Sequence, residues 1–154
     1  MFKKILVPVD GSETAWRALN NALEIGKKFE SEILVVIVIQ PYNNAALLAV
    51  PLDHATINQG NSELEKVGDK VLELAKEMVG SYPHKVEYDM EVGHPSERII
   101  ALSKKVEADA IVLGSRGLSG IAEFFLGSVS SKVSQYATVP VPVSYTHLRA
   151  HETD

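Results

Sequence analysis

The chain has 154 residues, of which 45% are hydrophobic and 23% charged; these values fit one globular domain and exclude a disordered or fibrous chain. Lys and Arg total 15 against 20 Asp and Glu, a formal net charge of -5, which is a poor match to a nucleic-acid backbone. No cysteine is present, so disulfides, thiolate nucleophiles and Cys-ligated zinc are excluded.

In chain order, Ile5-Leu6-Val7 opens a strand over about residues 3–9. That run is too short for a secretory signal, and a cytoplasmic protein is expected. Ala18, Ala22, Ile25 and Phe29 then draw one apolar stripe down a helix over 13–29. Ile33 to Ile39 is a continuous β-branched run. Such a run predicts a strand covered on both faces, and it is far too short to cross a bilayer. Residues 40–61 read as a long loop. Its Leu47, Leu48, Val50 and Leu52 are available to fold over a pocket or pack on a partner.

Leu64, Val67, Val71, Leu74 and Met78 predict a helix over 62–80. A strand over 85–92 and a helix over 95–107 follow, the helix carrying Ile99, Leu102 and Val106. Ala110-Ile111-Val112-Leu113 marks a strand over 109–114, and 115–126 a loop. Val129, Val133 and Tyr136 predict a helix over 128–137, before a last strand over 139–143. The alternation predicts an α/β fold: a doubly wound, open parallel sheet of five strands with helices on both faces. In such sheets ligands bind beyond the carboxyl ends of the strands.

Three segments lie there. Val7-Pro8-Val9-Asp10-Gly11-Ser12 runs from strand to helix. Asp10 can accept hydrogen bonds from sugar hydroxyls, or the segment is only a turn with Ser12 as N-cap. Pro8 costs a central strand one ladder bond unless the strand is ending. Gly114-Ser115-Arg116-Gly117 precedes nine residues and then Gly127-Ser128-Val129-Ser130. The glycines permit close backbone approach, and the helix N-terminus with its serine hydroxyls suits a phosphate. The other reading is a glycine-punctuated surface loop with a serine cap. The segment is neither a Walker A loop nor a dinucleotide GxGxxG. Val92-Gly93-His94-Pro95-Ser96-Glu97 reads as a tight strand-to-helix turn with Pro95 at N1. His94 falls on the ligand side. The remaining histidines, His54, His84, His147 and His151, are scattered, and no metal site built from protein side chains is expected.

Together, KILVPVDGS, VGHPSE and G-x-x-G-(nine residues)-G-S resemble the universal stress protein family over residues 1 to about 143. The glycine motif marks its ATP-binding branch. The resemblance implies strand order 3-2-1-4-5, ATP as ligand with Mg²⁺ or Mn²⁺ in many members, and a homodimer through the fifth strand. It implies that Asp10 meets the ribose while Pro8 and Val9 shape the base pocket. Val38 would contact adenine through its backbone, and Gly114 would lie beside the ribose. Arg116, Gly117, Gly127, Ser128, Val129 and Ser130 would line the phosphates. No catalytic residue is assigned and no P-loop lysine is present, so ATP binding with slow hydrolysis at most is expected. The competing functions are a non-nucleotide interaction protein of the same fold and a weak ATPase or nucleotidyl-transferring enzyme, for which only Arg116 and His94 are candidate groups.

Residues 144–154, SYTHLRAHETD, depart from the family and from both periodicities. They read as a foreign or disordered tail beyond a domain at 1–143, dispensable for nucleotide binding. Pro142 is expected to remove a donor from an edge pairing of the fifth strand, which puts the usual dimer geometry in question.

Overall fold

The computed structural model describes residues 2–41, 53–115 and 128–144. Its elements are β1 (Lys4–Pro8), α1 (Glu13–Phe29), β2 (Glu32–Ile39), α2 (His54–Val79), β3 (Val86–Val92), α3 (Pro95–Lys105), β4 (Ala110–Ile111), β5 (Leu113–Gly114), α4 (Ser128–Tyr136) and β6 (Val143–Ser144). The class is the expected one, a parallel sheet flanked by helices. β3, β2, β1 and β4 lie side by side in that order, and β5 pairs with β6. All pairings are parallel.

The main sheet therefore has four strands, not five, and Pro8 supplies the reason. Val112 donates from its N–H to the Leu6 carbonyl at 2.9 Å. The next ladder bond would run from residue 8 back to the Val112 carbonyl, but Pro8 has no N–H. The ladder lapses at Val112, so one extended run, 110–114, is divided into β4 and β5. The outermost strand is shortened for the same reason. Ile111 and Leu113 donate to the carbonyls of Pro140 and Pro142, at 3.0 and 3.1 Å. Both prolines thus turn their missing donors inward, toward β4 and β5. Regular pairing starts only at Val143 and Ser144. The expectation that Pro142 weakens the outer edge is corrected: in this parity the outer backbone groups are those of Val141 and Val143.

Two apolar clusters hold the layers together. Ile5, Val7, Ile33, Val35 and Ile37 pack under α1 and α2. Leu6, Leu34, Val36 and Ile111 pack over α3 and α4 with Ile99, Leu102 and Val133. Alternate residues of one strand enter opposite clusters, as the continuous β-branched runs require.

α2 differs from expectation at its start. It begins at His54, eight residues before the expected 62, because Asp53 caps it by accepting from the Thr56 N–H at 2.7 Å. Asn58, Gly60 and Asn61, poor helix formers, hide this stretch in the sequence. Its buried face is also rotated from the expected stripe. Gly68, Val71 and Ala75 are buried, whereas Val67 and Leu74 are 52% and 41% exposed. Gly68 permits the close approach: a Cβ there would stand 2.8 Å from Met90 Cε.

Candidate functional site

The carboxyl ends of β1, β2 and β5 open toward the first turn of α1 and the start of α4. At β1, the chain leaves the ladder through Pro8 and Val9. The Val9 N–H donates to the Val36 carbonyl at 2.8 Å, and the Val9 side chain is buried in the α1 and α2 cluster. Gly11, at φ 86, turns the chain into α1. Ser12 caps that helix, accepting from the Ala15 N–H at 3.3 Å. Asp10 Oδ1 accepts from the Ser12 N–H at 2.9 Å. The turn-and-cap arrangement is therefore realised, and it orients Asp10 with one oxygen committed to the backbone.

Val38 faces the gap that β1 leaves. Even-numbered residues of β2 turn their backbone groups toward β1, as Glu32 does to Lys3 and Val36 to Val9. β1 ends at Pro8, so the N–H and carbonyl of Val38 point past the end of the neighbouring strand. Among the described residues they have no ladder partner. This is the disposition in which a backbone edge can read a planar, hydrogen-bonding base.

Gly114 stands at the end of β5 against α1. A Cβ there would lie 2.6 Å from Thr14 Oγ1 and 2.8 Å from both the Thr14 carbonyl carbon and the Ala15 nitrogen. The glycine is demanded by this close approach, and Thr14, buried beside it, is a site neighbour that the sequence did not single out. α4 starts at Ser128, so the N–H groups of Ser128, Val129 and Ser130 are those of its first turn, which lack intrahelical acceptors. The Val129 side chain packs against the cluster under α3 and α4. Ser130 is buried, and its hydroxyl donates to the Ser115 carbonyl at 3.2 Å. The hydroxyl thus ties α4 to the end of β5. Arg116, Gly117 and Gly127 lie outside the described residues, as does the side chain of Ser128.

His94 precedes α3 without capping it through its side chain; its Nδ1 lies 3.2 Å from Ser96 Oγ. With Gly93 at φ 144, this is the tight turn that the sequence suggests. Ser144 belongs to the fold. Its carbonyl accepts from the Ser115 N–H and its hydroxyl from Asn21 Nδ2, each at 2.7 Å. Among the described residues no group of three or more His, Cys, Asp or Glu side chains is placed to hold a metal ion. No helix among them is long and apolar enough to cross a membrane.

Comparison with known proteins finds relatives over nearly the whole chain. The universal stress protein family matches residues 1–144. Universal stress protein YxiE of Bacillus subtilis is 36% identical over 146 residues, covering 92% of this chain and 97% of its own. Universal stress protein MJ0577 of Methanocaldococcus jannaschii is 32% identical over 153 residues, covering 93% of this chain and 94% of its own. The solved structure of MJ0577 superposes with a TM-score of 0.80 at 28% identity, covering 95% of this chain and 97% of that one. A universal stress protein in complex with cAMP gives a TM-score of 0.69 at 24% identity, with 94% and 97% coverage. One from Archaeoglobus fulgidus in complex with dAMP gives 0.66 at 23%, with 94% and 99% coverage. At these last two identities the likeness is one of fold.

Proposed function

Because the chain belongs to the universal stress protein family, we propose that it is an ATP-binding regulatory protein whose nucleotide lies across the carboxyl ends of β1, β2 and β5. The observation that carries this reading is the convergence of three recognition elements. The Val38 backbone edge opens beyond the end of β1, Asp10 is held by Ser12 through one oxygen while its other bonds no described residue, and α4, tied to the end of β5 by the Ser130 hydroxyl, begins at Ser128. These suit, in turn, a base, a ribose hydroxyl and a phosphate. The adenine nucleotides cAMP and dAMP bound by proteins of this fold support the same choice of ligand.

An acidic chain can hold a polyphosphate in this way, because backbone dipoles rather than net charge supply the field. Arg116, Gly117, Gly127 and Ser128 complete the phosphate side of the proposal. A Mg²⁺ or Mn²⁺ ion would be carried by the phosphates, with water filling its remaining positions. No lysine follows Gly127-Ser128 to stabilise a leaving phosphate, so the site is one for binding, with hydrolysis slow at most. Occupancy would favour one arrangement of the segments after β2 and β5, a switch set by differential affinity. The protein would act in the cytoplasm, as a homodimer paired along the outer edge of β6, where Val141 and Val143 turn their backbone groups outward.

The test is direct. Purified protein is denatured and the supernatant run on anion exchange; a stoichiometric ATP, ADP or AMP peak supports the reading. A chain that carries no nucleotide and takes up none on dialysis against ATP is an interaction protein of the same fold. A multiple-turnover phosphate-release assay distinguishes a binding protein from an ATPase.

A further inference from the structure

At the opposite edge of the sheet no described strand lies beyond β3. β3 is the outermost strand, and its pairing with β2 fixes which backbone groups face outward. Ile33 donates to the Lys85 carbonyl and Gly93 to that of Ile39, so odd-numbered residues face β2. Val86, Tyr88, Met90 and Val92 therefore present their N–H and carbonyl groups to the outside. Among the described residues no backbone group pairs with them. An edge whose backbone groups pair with no described residue is a template for another strand.

Two features give the edge its chemistry. On the α2 side stand Tyr88, Met90 and Val92, and Val92 is 55% exposed at the end of the strand. On the α3 side stand Glu87, Asp89 and Glu91. Glu87 pairs with Lys85 at 2.9 Å and Glu91 with Arg98 at 2.8 Å. Asp89, between them, forms no ion pair within 4.0 Å among the described residues. Beside it on β2 is only Val36; of the three cations on α3, Arg98, Lys104 and Lys105, it is Lys105 whose charge acts on Asp89, and Glu91 is the nearest like charge. Its Oδ1 instead accepts from the outward Met90 N–H at 2.8 Å, closing the edge at its midpoint.

We propose that the β3 edge takes up an extended segment of a partner protein as an added strand, with a Lys or Arg of that segment opposite Asp89 and an apolar residue on either side of it. The cation draws the Asp89 carboxylate onto itself and frees the Met90 N–H for the new ladder. The flanking apolar side chains lie beside Tyr88, Met90 and Val92. Charge decides against a second copy of this chain. In the antiparallel register that pairs all seven residues, Asp89 meets Asp89 and Glu87 meets Glu91, like charges directly opposed. Backbone bonds supply affinity and the basic residue supplies selectivity, as in strand-addition recognition generally.

The probe is a short labelled peptide alternating Val and Thr with one central Lys, titrated against the full chain by fluorescence anisotropy. The Lys peptide is expected to bind about tenfold more tightly than its Glu counterpart, the difference between an attractive and a repulsive cross-strand pair. N-methylation of the peptide amides that face the protein abolishes binding, whereas methylation of the alternate amides does not. Asp89→Lys reverses the preference between the two peptides. Hydrogen exchange at the Tyr88 and Val92 amides slows when the Lys peptide is bound. Absence of binding, equal affinity for both peptides, or binding that survives N-methylation overturns the proposal. So does slowed exchange at those amides on raising protein concentration alone, which would identify a second copy as the occupant.

Discussion

Gly114 and Thr14 meet so closely that a Cβ on residue 114 would stand 2.6 Å from the Thr14 hydroxyl oxygen. The other near atoms are backbone of α1, which cannot turn aside. Gly114→Ala must therefore push β5 away from the first turn of α1, separating the two segments on which the site is built. The variant is expected to lose about 1–3 kcal/mol of stability in urea denaturation, the usual range for overpacking. It is also expected to bind ATP more weakly by calorimetry at a temperature where it remains folded.

Ser130 offers a second test of how the site is held. Its hydroxyl reaches the Ser115 carbonyl inside the protein. Ser130→Ala leaves that carbonyl short of a donor and is expected to cost about 1 kcal/mol in denaturation. If the hydroxyl orients α4 rather than touching phosphate, ATP and AMP affinities fall by similar factors. A hydroxyl bonded to the terminal phosphates would lower ATP affinity alone.

The carboxylates of β3 predict the acid behaviour. Burial pushes the Asp89 carboxyl above its ordinary value, and the hydrogen bond it shares with Glu91 adds to the rise. Glu91 is held below its ordinary value, first by the hydrogen bond from Arg98. A raised carboxyl means that the folded chain binds its proton more strongly, so Asp89 weakens the fold as pH rises from the unfolded carboxylate value through the raised one. Glu91 has the opposite sign: its contribution is present above the unfolded value and is lost as pH falls through the depressed one. Asp89→Asn, which keeps an oxygen for the Met90 N–H, is expected to raise the melting temperature at neutral pH and to lose that advantage in acid. Glu91→Gln is expected to lower it at neutral pH. Thermal melts across the acid range check both signs.

The end of the chain separates two truncations. Removal of residues 145–154 is expected to leave stability and ATP affinity unchanged. Removing Ser144 as well takes away the acceptors of the Ser115 N–H and Asn21 Nδ2. That cut is expected to lower the melting temperature, because Ser115 also anchors Ser130. The division between domain and tail then falls one residue later than the sequence suggests. Equal melts for the two truncations would contradict this.

Most of the fold was legible because both of its periodicities are strong. Ile5 to Val7 and Ile33 to Ile39 are covered on both faces, so their apolar runs are uninterrupted. α1 carries its cap and its terminal charges in the order that a helix needs, and Ala18 and Ala22 of its expected stripe are buried, but Phe29 is 43% exposed because the buried face runs through Ala15, Leu19, Leu23 and Gly26. α2 was misread at both its start and its face. An Asp53 cap is a weak local signal, and the buried face turns on Gly68 and Ala75, small residues that an apolar stripe overlooks. Pro8 was legible as an anomaly, but its effect on the partner strand was not, since register alone reveals which neighbour loses the bond. At the site, Asp10, Val38 and Gly114 stand at strand ends because the alternation of elements fixes those ends. Thr14 and the Ser130 to Ser115 bond were not legible, because they depend on how closely α1 and α4 approach β5.

Calorimetric titration of the full chain with ATP, with and without Mg²⁺, is the decisive measurement of nucleotide binding. Saturable one-to-one binding is expected, abolished when ATP is replaced by ribose triphosphate lacking the base and weakened by Asp10→Ala. No heat of binding from nucleotide-free protein under either condition would contradict it.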